Sequence, residues 1–247
     1  MYYQIENTNV RLAGSLHLVP AGKTLPNWIL EAYQWSEDLY LEANDADTAK
    51  LALLPSGESW ERRLPAAIWT SIKAAWPAHQ PPLGPQKPWF IAMVLGMSGI
   101  PLLLGVENFI KARAKADSRC IQYLETVGEF SQLMEGVTDA DYARAFAVVL
   151  ANDAQTRGQN IADMYRAWMS AQVDAVEMIA RQSPLGQFPV VREIIFDRRN
   201  LLWLPRIVAT LGTNRRTVVF VGAGHLGGPN GLLALLGRAG HVCQRLV

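Results

Sequence analysis

TVVFVGAGHLGGPNG, residues Thr217 to Gly231, places four β-favouring residues (Val218, Val219, Phe220 and Val221) directly ahead of a glycine-rich turn that ends in His225. Such a run reads as a strand delivering a titratable side chain to its own carboxyl end. In an open α/β sheet, ligands bind in the crevice outside the carboxyl ends of the strands, which makes His225 a site candidate. The start of the chain repeats the arrangement: Val10, Leu12 and Ala13 lead into Gly14-Ser15-Leu16-His17. Two of the four histidines therefore share one local context at opposite ends of the chain, and an internal duplication is one reading of the pair.

Beyond these two strands, residues Tyr2 to Ala13 read as one or two short strands. In Asn27 to Glu37, Trp28, Ile29, Ala32, Tyr33 and Trp35 recur at helical spacing, and Asp38 to Glu42 is a short apolar run ending in a carboxylate. That is a β-α-β unit, expected to be right-handed, with His17 and Glu42 at the carboxyl edge of neighbouring parallel strands. From Asp45 to Pro88 the pattern is helical and irregular, with a proline-rich connector from His79. Helices are expected over Trp89–Leu95 and Val106–Ala116, and a strand over Arg119–Leu124, again ending in an acid, Glu125. A long helical portion over Phe130–Arg181, a helical segment over Val190–Leu211, a helix over Gly231–Arg238 and a last strand from His241 complete the layout. The fold class is α/β: a central, mainly parallel sheet flanked by helices, with a helical middle portion, in one domain over residues 1–247.

Composition limits the functional classes. Apolar residues make up 50% and charged residues 18% of the 247, which excludes disorder and allows a sizeable core. A formal net charge of +1, with no basic stripe, implies no nucleic-acid partner. The first residues lack a basic segment followed by an apolar core, so a cytoplasmic protein without a signal peptide is expected. The apolar run Trp89–Val106 is broken by Gly96, Ser98, Gly99, Pro101 and Gly105, so no membrane span is expected, although Leu95 to Leu104 is a candidate apolar patch for a partner. Cys120 and Cys243 lie in apolar strand-like runs and are expected to be buried thiols.

Two histidines and two carboxylates, each at the end of a strand-like run, supply what a divalent metal site or an acid/base pair requires. Gly14 and Gly222 allow φ angles closed to other residues and a close approach of backbone or ligand. Each feature also has a structural reading: Glu42 as a helix-capping acid, Glu125 as an arginine partner, Asn200 as an N-cap, residues 222–231 as a phosphate cradle. His79 and His241 read as structural or solvated. There is no Gly-x-Gly-x-x-Gly, no Gly-Lys-Ser/Thr and no serine nucleophile elbow.

The segment FVGAGHLGGPNGLLALLGRAGHVCQRL resembles the closing motif of the TraB/GumN family, which includes the Tiki and TraB proteins. Gly14-Ser15-Leu16-His17, Leu41-Glu42, Lys87-Pro88-Trp89, Leu124-Glu125-Thr126 and Arg199-Asn200 resemble further family motifs in the same order, with Glu107 standing where the family usually has Asp. The resemblance implies a fold similar to the erythromycin esterase and ChaN-like group. For the Tiki branch it implies metal-dependent peptide hydrolysis, with His17, His225 and Glu42 holding a divalent metal (manganese, cobalt, zinc or iron). Glu125, Arg199 and Asn200 would support them, and Arg199, Gly14 and Gly222 would contact a peptide or small-molecule substrate. The alternatives are a metal-free hydrolase with a histidine general base, or a non-catalytic protein that binds a peptide or haem.

Overall fold

Two antiparallel strands, β1 (Tyr2–Ile5) and β2 (Val10–Ser15), open the chain. β3 (Leu18–Pro20) leaves the main sheet directly after His17, and α1 (Asn27–Trp35) buries Trp28, Ile29, Ala32 and Tyr33, the stripe its spacing predicts. β4 (Asp38–Ala43) completes the β-α-β unit. The computed structural model describes residues 1–44, 48–183 and 185–247, so the beginning of the helical stretch expected from Asp45 lies outside the described residues.

The middle of the chain is helical, as its sequence predicts. α2 (Thr48–Leu51), α3 (Ala66–Ala75) and α4 (Pro88–Met97) precede a three-residue strand, β5 (Leu102–Leu104), which pairs with β3 in a separate two-stranded ribbon. α5 (Val106–Ala116) and β6 (Ile121–Glu125) follow. Directly after Glu125, Thr126 caps α6 (Val127–Met134) through a reciprocal box with Glu129, which stops the strand at its acid. α7 (Asp139–Ala151), α8 (Ala154–Met169) and α9 (Val173–Gln182) form the helical layer. α10 (Pro189–Arg192), a π-helical turn (Glu193–Arg198) and α11 (Arg199–Leu211) then lead to β7 (Thr217–Gly222), α12 (Leu232–Arg238) and β8 (Cys243–Arg245).

The six-stranded sheet has the order β6-β4-β7-β2-β1-β8, parallel from β6 to β2 and antiparallel at β1 and β8. One expectation is corrected here: β2 and β4 are not neighbours, because β7 lies between them. All six residues of β7 are buried, and a strand apolar on both faces is stable only where neighbours and covering helices exclude water from both sides. β7 runs beside β2 as far as the pair Ser15↔Gly222, but its register with β4 ends at Tyr40↔Val219. β4 and β7 therefore part at their carboxyl ends, and that opening is the crevice.

Two cores form. Around the sheet, Ile29, Leu39, Leu41, Trp168, Trp203 and Phe220 are fully buried, each contributing about 1.5–3 kcal/mol or more of transfer free energy. Among the helices, Trp60, Trp69, Ile72, Ile91, Phe146 and Ile194 make a second cluster. Among the described residues no helix is long and apolar enough to cross a membrane. The cysteine expectation needs correcting: Cys120 is exposed and Cys243 half-buried, because Cys120 precedes the first paired residue of β6 and β8 is an edge strand.

Candidate functional site

The crevice between β4 and β7 collects the residues singled out in the sequence. Glu42, next to last in β4, bridges the gap that the lost register leaves, and its Oε1 accepts the Gly222 N–H at 2.5 Å. His17, just past β2, and His225, on a single 3-10 turn after β7, present their Nε2 atoms to opposite oxygens of Glu42, at 3.8 Å from Oε2 and 3.9 Å from Oε1. A Cβ on Gly222 would lie 3.1 Å from Glu42 Oε1, 3.4 Å from His17 Nε2 and 3.4 Å from His225 Cδ2. All three side chains thus converge on the space over this glycine. Neither Gly14 nor Gly222 has the positive φ the sequence reading allowed for; close approach is what requires glycine here. At Gly14 the approach is to Leu226 and Met1, under the site rather than in it, with its carbonyl accepting from Trp168 Nε1.

Arg199 and Asn200, the first residues of α11, complete the arrangement from the other side. Arg199 is buried with every guanidinium nitrogen engaged. Nε and Nη2 donate to Glu125 Oε1 at 2.9 and 2.5 Å, Nη2 also donates to Glu42 Oε2 at 2.7 Å, and Nη1 faces His225 Nε2 at 3.3 Å and the Ile195 carbonyl. Its plane lies 4.4 Å from the ring of Trp203, one helical turn on, whose Nε1 donates to Glu125 Oε2. Glu125 is therefore the arginine partner that the structural reading offered, and it shares that arginine with Glu42.

Each histidine is oriented through its other nitrogen. Asn200 Nδ2 donates to the carbonyls of His225 and Asn230, which turns Oδ1 towards His225 Nδ1 at 2.8 Å. An acceptor there requires the proton on Nδ1, so Nε2 carries the lone pair that faces Glu42 and Arg199. Asn200 is thus an orienting group, not an N-cap. His17 Nδ1 lies 3.2 Å from Glu107 Oε1, an oxygen that also accepts from Ser15. Glu107 Oε2 is buried with no partner among the described residues.

Sequence reasoning noted Glu107 only as a departure from a motif and did not assign it to the site. Its signal was its place in the first turn of a helix directly after Gly105, where an acid is favoured and aimed back along the chain. Ser15, Trp203 and Phe196, whose ring lies 5.2 Å from that of His225, were also missed. Trp203 had a usable signal in its i,i+4 spacing from Arg199.

The electrostatics follow from these contacts. For Glu42, burial works against ionisation, but Arg199 and the two histidines, with the Gly222 N–H, hold the carboxyl well below the usual range. Burial likewise opposes ionisation of Glu107, and His17 and Ser15 bring it below its ordinary value. Glu125 is raised by burial despite Arg199. His17 is raised to about 9, first by Glu107; its side chain is 59% exposed, so water screens part of that attraction. Burial lowers His225 to about 3, which leaves it neutral.

These donors suit a divalent cation in kind. Two imidazole nitrogens and a carboxylate face one space, and each imidazole has its second nitrogen held by an acceptor, the pattern that orients metal-ligating histidines. Charge agrees in sign: with Glu42, Glu107 and Glu125 ionised, Arg199 and protonated His17 offset two of three negative charges, and a cation that displaces the His17 proton would face two. The set is not closed, and among the described residues no three His, Cys, Asp or Glu side chains are gathered tightly enough to hold a metal as they stand. Arg199 shares both the Glu42 carboxylate and the His225 lone pair, and each histidine Nε2 stands 3.8–3.9 Å from Glu42.

No curated protein and no solved structure matches the chain. Residues 2–245 match the TraB/PrgY/gumN family, so the motif-bearing segments and the crevice they build fall inside one continuous correspondence. The chain belongs to the TraB/PrgY/gumN family.

Proposed function

We propose that the chain hydrolyses a peptide bond or a related amide or ester bond, with a divalent cation (manganese, iron, cobalt or zinc) held by His17, His225 and Glu42. The observation that carries this reading is the convergence of His17 Nε2, His225 and Glu42 Oε1 on the space over Gly222. A divalent cation bound there supplies an acidified water and polarises the scissile carbonyl. The protein's own residues do the positioning. Glu107 and Asn200 keep protons on the Nδ1 atoms of His17 and His225, so both Nε2 lone pairs would face a cation once His17 has given up its second proton and Arg199 Nη1 has released His225. Arg199 fixes Glu42 and Glu125 relative to one another. His17, the exposed histidine, marks the side from which substrate arrives.

A metal-free reaction with His225 as general base is the weaker reading, because a base lowered to about 3 has little driving force for taking a proton near neutral pH. The test is metal content by mass spectrometry on protein purified without a histidine tag, wild type beside His17→Ala and His225→Ala. The expected result is near-stoichiometric metal in the wild type and its loss in both variants. Wild-type protein that stays metal-free after incubation with all four ions refutes the reading.

A further inference from the structure

The ribbon of β3 and β5 begins where the site ends. His17 immediately precedes β3, and β5 runs through Gly105 and Val106 into Glu107, whose carboxylate holds the His17 ring. Gly105 packs so closely on the His17 peptide that a Cβ there would lie 1.9 Å from the Leu16 carbonyl, so the ribbon and the site are locked together.

The hydrogen-bond register of this ribbon determines which backbone groups face outward. Leu18, Val19 and Pro20 pair with Leu104, Leu103 and Leu102, the Gly105 N–H donates to the His17 carbonyl, and the Ala21 N–H donates to the Pro101 carbonyl. In an antiparallel ladder, bonded and non-bonded pairs alternate. The bonded pairs are thus 17/105, 19/103 and 21/101; past the strand the alternation ends, with the Val106 N–H also donating to the Leu16 carbonyl, and within it the N–H and C=O of Leu102 and Leu104 point away from β3. Among the described residues none of these four groups has a hydrogen-bond partner. Natural sheets shield such an edge with charge, proline inside the strand or a covering element. β5 has none of these: it reads Leu-Leu-Leu, with Leu103 and Leu104 48% and 67% exposed. On the face that Leu102 presents, an apolar cleft of about 350 Å³ opens, lined by Pro20, Ile100, Leu102, Gly158 and Ile161 among others.

We propose that the free edge of β5 is the substrate-docking site, and that it takes an extended peptide as a third strand of the ribbon, bonded through Leu102 and Leu104, with an apolar side chain in the cleft. An outward row of alternating N–H and C=O groups is complementary to an extended main chain, and a pocket beside alternate positions supplies side-chain preference. This deepens the hydrolase reading and rests on it for where the peptide leads: β5 continues through Gly105 to Glu107, whose carboxylate meets the His17 ring, so the added strand lies against the segment that carries the site. A small ester would have no use for this edge.

The experiment is amide hydrogen exchange of wild-type protein with a pool of acetylated, amidated nonapeptides carrying leucine or valine at alternate positions. A matched pool with alternate amides N-methylated keeps the side chains but loses N–H donors. The mass of the peptides is followed in the same samples. Protection of the Leu102–Leu104 amides by the first pool is expected, with binding weakened about fivefold for each hydrogen bond lost in the methylated pool. Leu104→Pro, which removes an N–H that no bond of the fold uses, is expected to weaken binding similarly while keeping the wild-type melting temperature. Equal binding of the two pools overturns the proposal. So does protection that rises with protein concentration alone alongside a dimer mass, which would make a second copy the occupant. With the protein preloaded in turn with manganese, iron, cobalt and zinc, cleavage without protection sinks the docking site only, and protection without cleavage under any of the four supports the docking site and sinks the hydrolase reading.

Discussion

Replacing Arg199 with methionine keeps most of the side-chain volume and removes the charge that Glu42 and Glu125 share. Both carboxylates are buried, at 5% and 2% exposure, so neither can be rescued by water. Breaking a buried ion pair by removing one partner costs about 3–5 kcal/mol, and the lost contact with the Trp203 ring adds to it, so about 4–6 kcal/mol is expected at pH 7.5. That approaches the whole stability of an ordinary domain. The sign with pH is fixed. Glu42 is depressed in the folded wild type, so its contribution is present above the ordinary carboxylate value of 4.5 and is lost as pH falls through the depressed one. Without Arg199 the stranded carboxylates take up protons at higher pH, and the penalty shrinks on going to pH 5. Adding Glu125→Gln to Arg199→Met is expected to recover about 1–3 kcal/mol, the cost of one unpaired buried group. Arg63 provides a control, since its Nε and Nη2 likewise donate to one carboxylate, the two oxygens of Asp139, and it lies 4.3 Å from the Trp60 ring, but at the surface. Arg63→Met should cost no more than about 1.5 kcal/mol. Urea unfolding followed by tryptophan fluorescence at the two pH values measures all four proteins. A cost below about 1 kcal/mol for Arg199→Met, or one unchanged by pH and by Glu125→Gln, would refute the account of Arg199 as the counter-charge of the site.

Three further outcomes are expected. Gly222→Ala has an accessible backbone conformation (φ −51°, ψ 132°) but sets a methyl 3.1 Å from the held Glu42 carboxylate, so a loss of about 1–3 kcal/mol together with the bound metal is expected; a variant with full metal content would contradict the convergence described at this glycine. Asn200→Leu should weaken metal binding about 10–100-fold, by titration calorimetry, through loss of the His225 tautomer, whereas Asn200→Asp, which keeps an acceptor, should retain much more of it. In chelator-treated protein the two histidines should act in opposite pH windows. His17, raised to about 9, contributes stability that is complete below 6.5 and lost as pH rises from there to 9; His225, lowered to about 3, contributes stability lost as pH falls from 6.5 to 3. In unfolding free energies across that range, His17→Gln should remove the alkaline slope and His225→Gln the part of the acid slope between pH 6.5 and 4.5, below which Glu42 and Glu107 add their own; unchanged slopes would count against both assignments.

The parts of this architecture legible in the sequence were those set by local pattern. β7 announced itself through four consecutive β-favouring residues, α1 through its apolar stripe, and Glu42 and Glu125 through acids at the ends of apolar runs. The two Gly-x-x-His turns pointed correctly to one crevice. What the sequence hid was set by pairing between distant segments. The β-α-β unit suggested that β2 and β4 touch, and only the insertion of β7, far along the chain, separates them. Glu107 was hidden for the same reason: helix position says that an acid is favoured there, but not that a tight Gly105 junction brings it under His17. The glycines were marked for two causes, unusual φ and close approach, and only close approach applies; that choice, like strand order, is a property of the assembled sheet.

The central position of β7 also constrains how the chain is made. Translation is vectorial, and at about 5–20 residues per second the ribosome needs about 10–40 s to travel from β2 to β7. Throughout that interval β2 and β4 have appeared but the strand that joins them has not, so each holds an open apolar edge that invites pairing with a foreign strand. The nascent chain must therefore be shielded or kept unpaired until β7 emerges. A message truncated before Thr217 would leave β1-β2 and β4-β6 as two separate pairs, each with an open edge and no strand to join them.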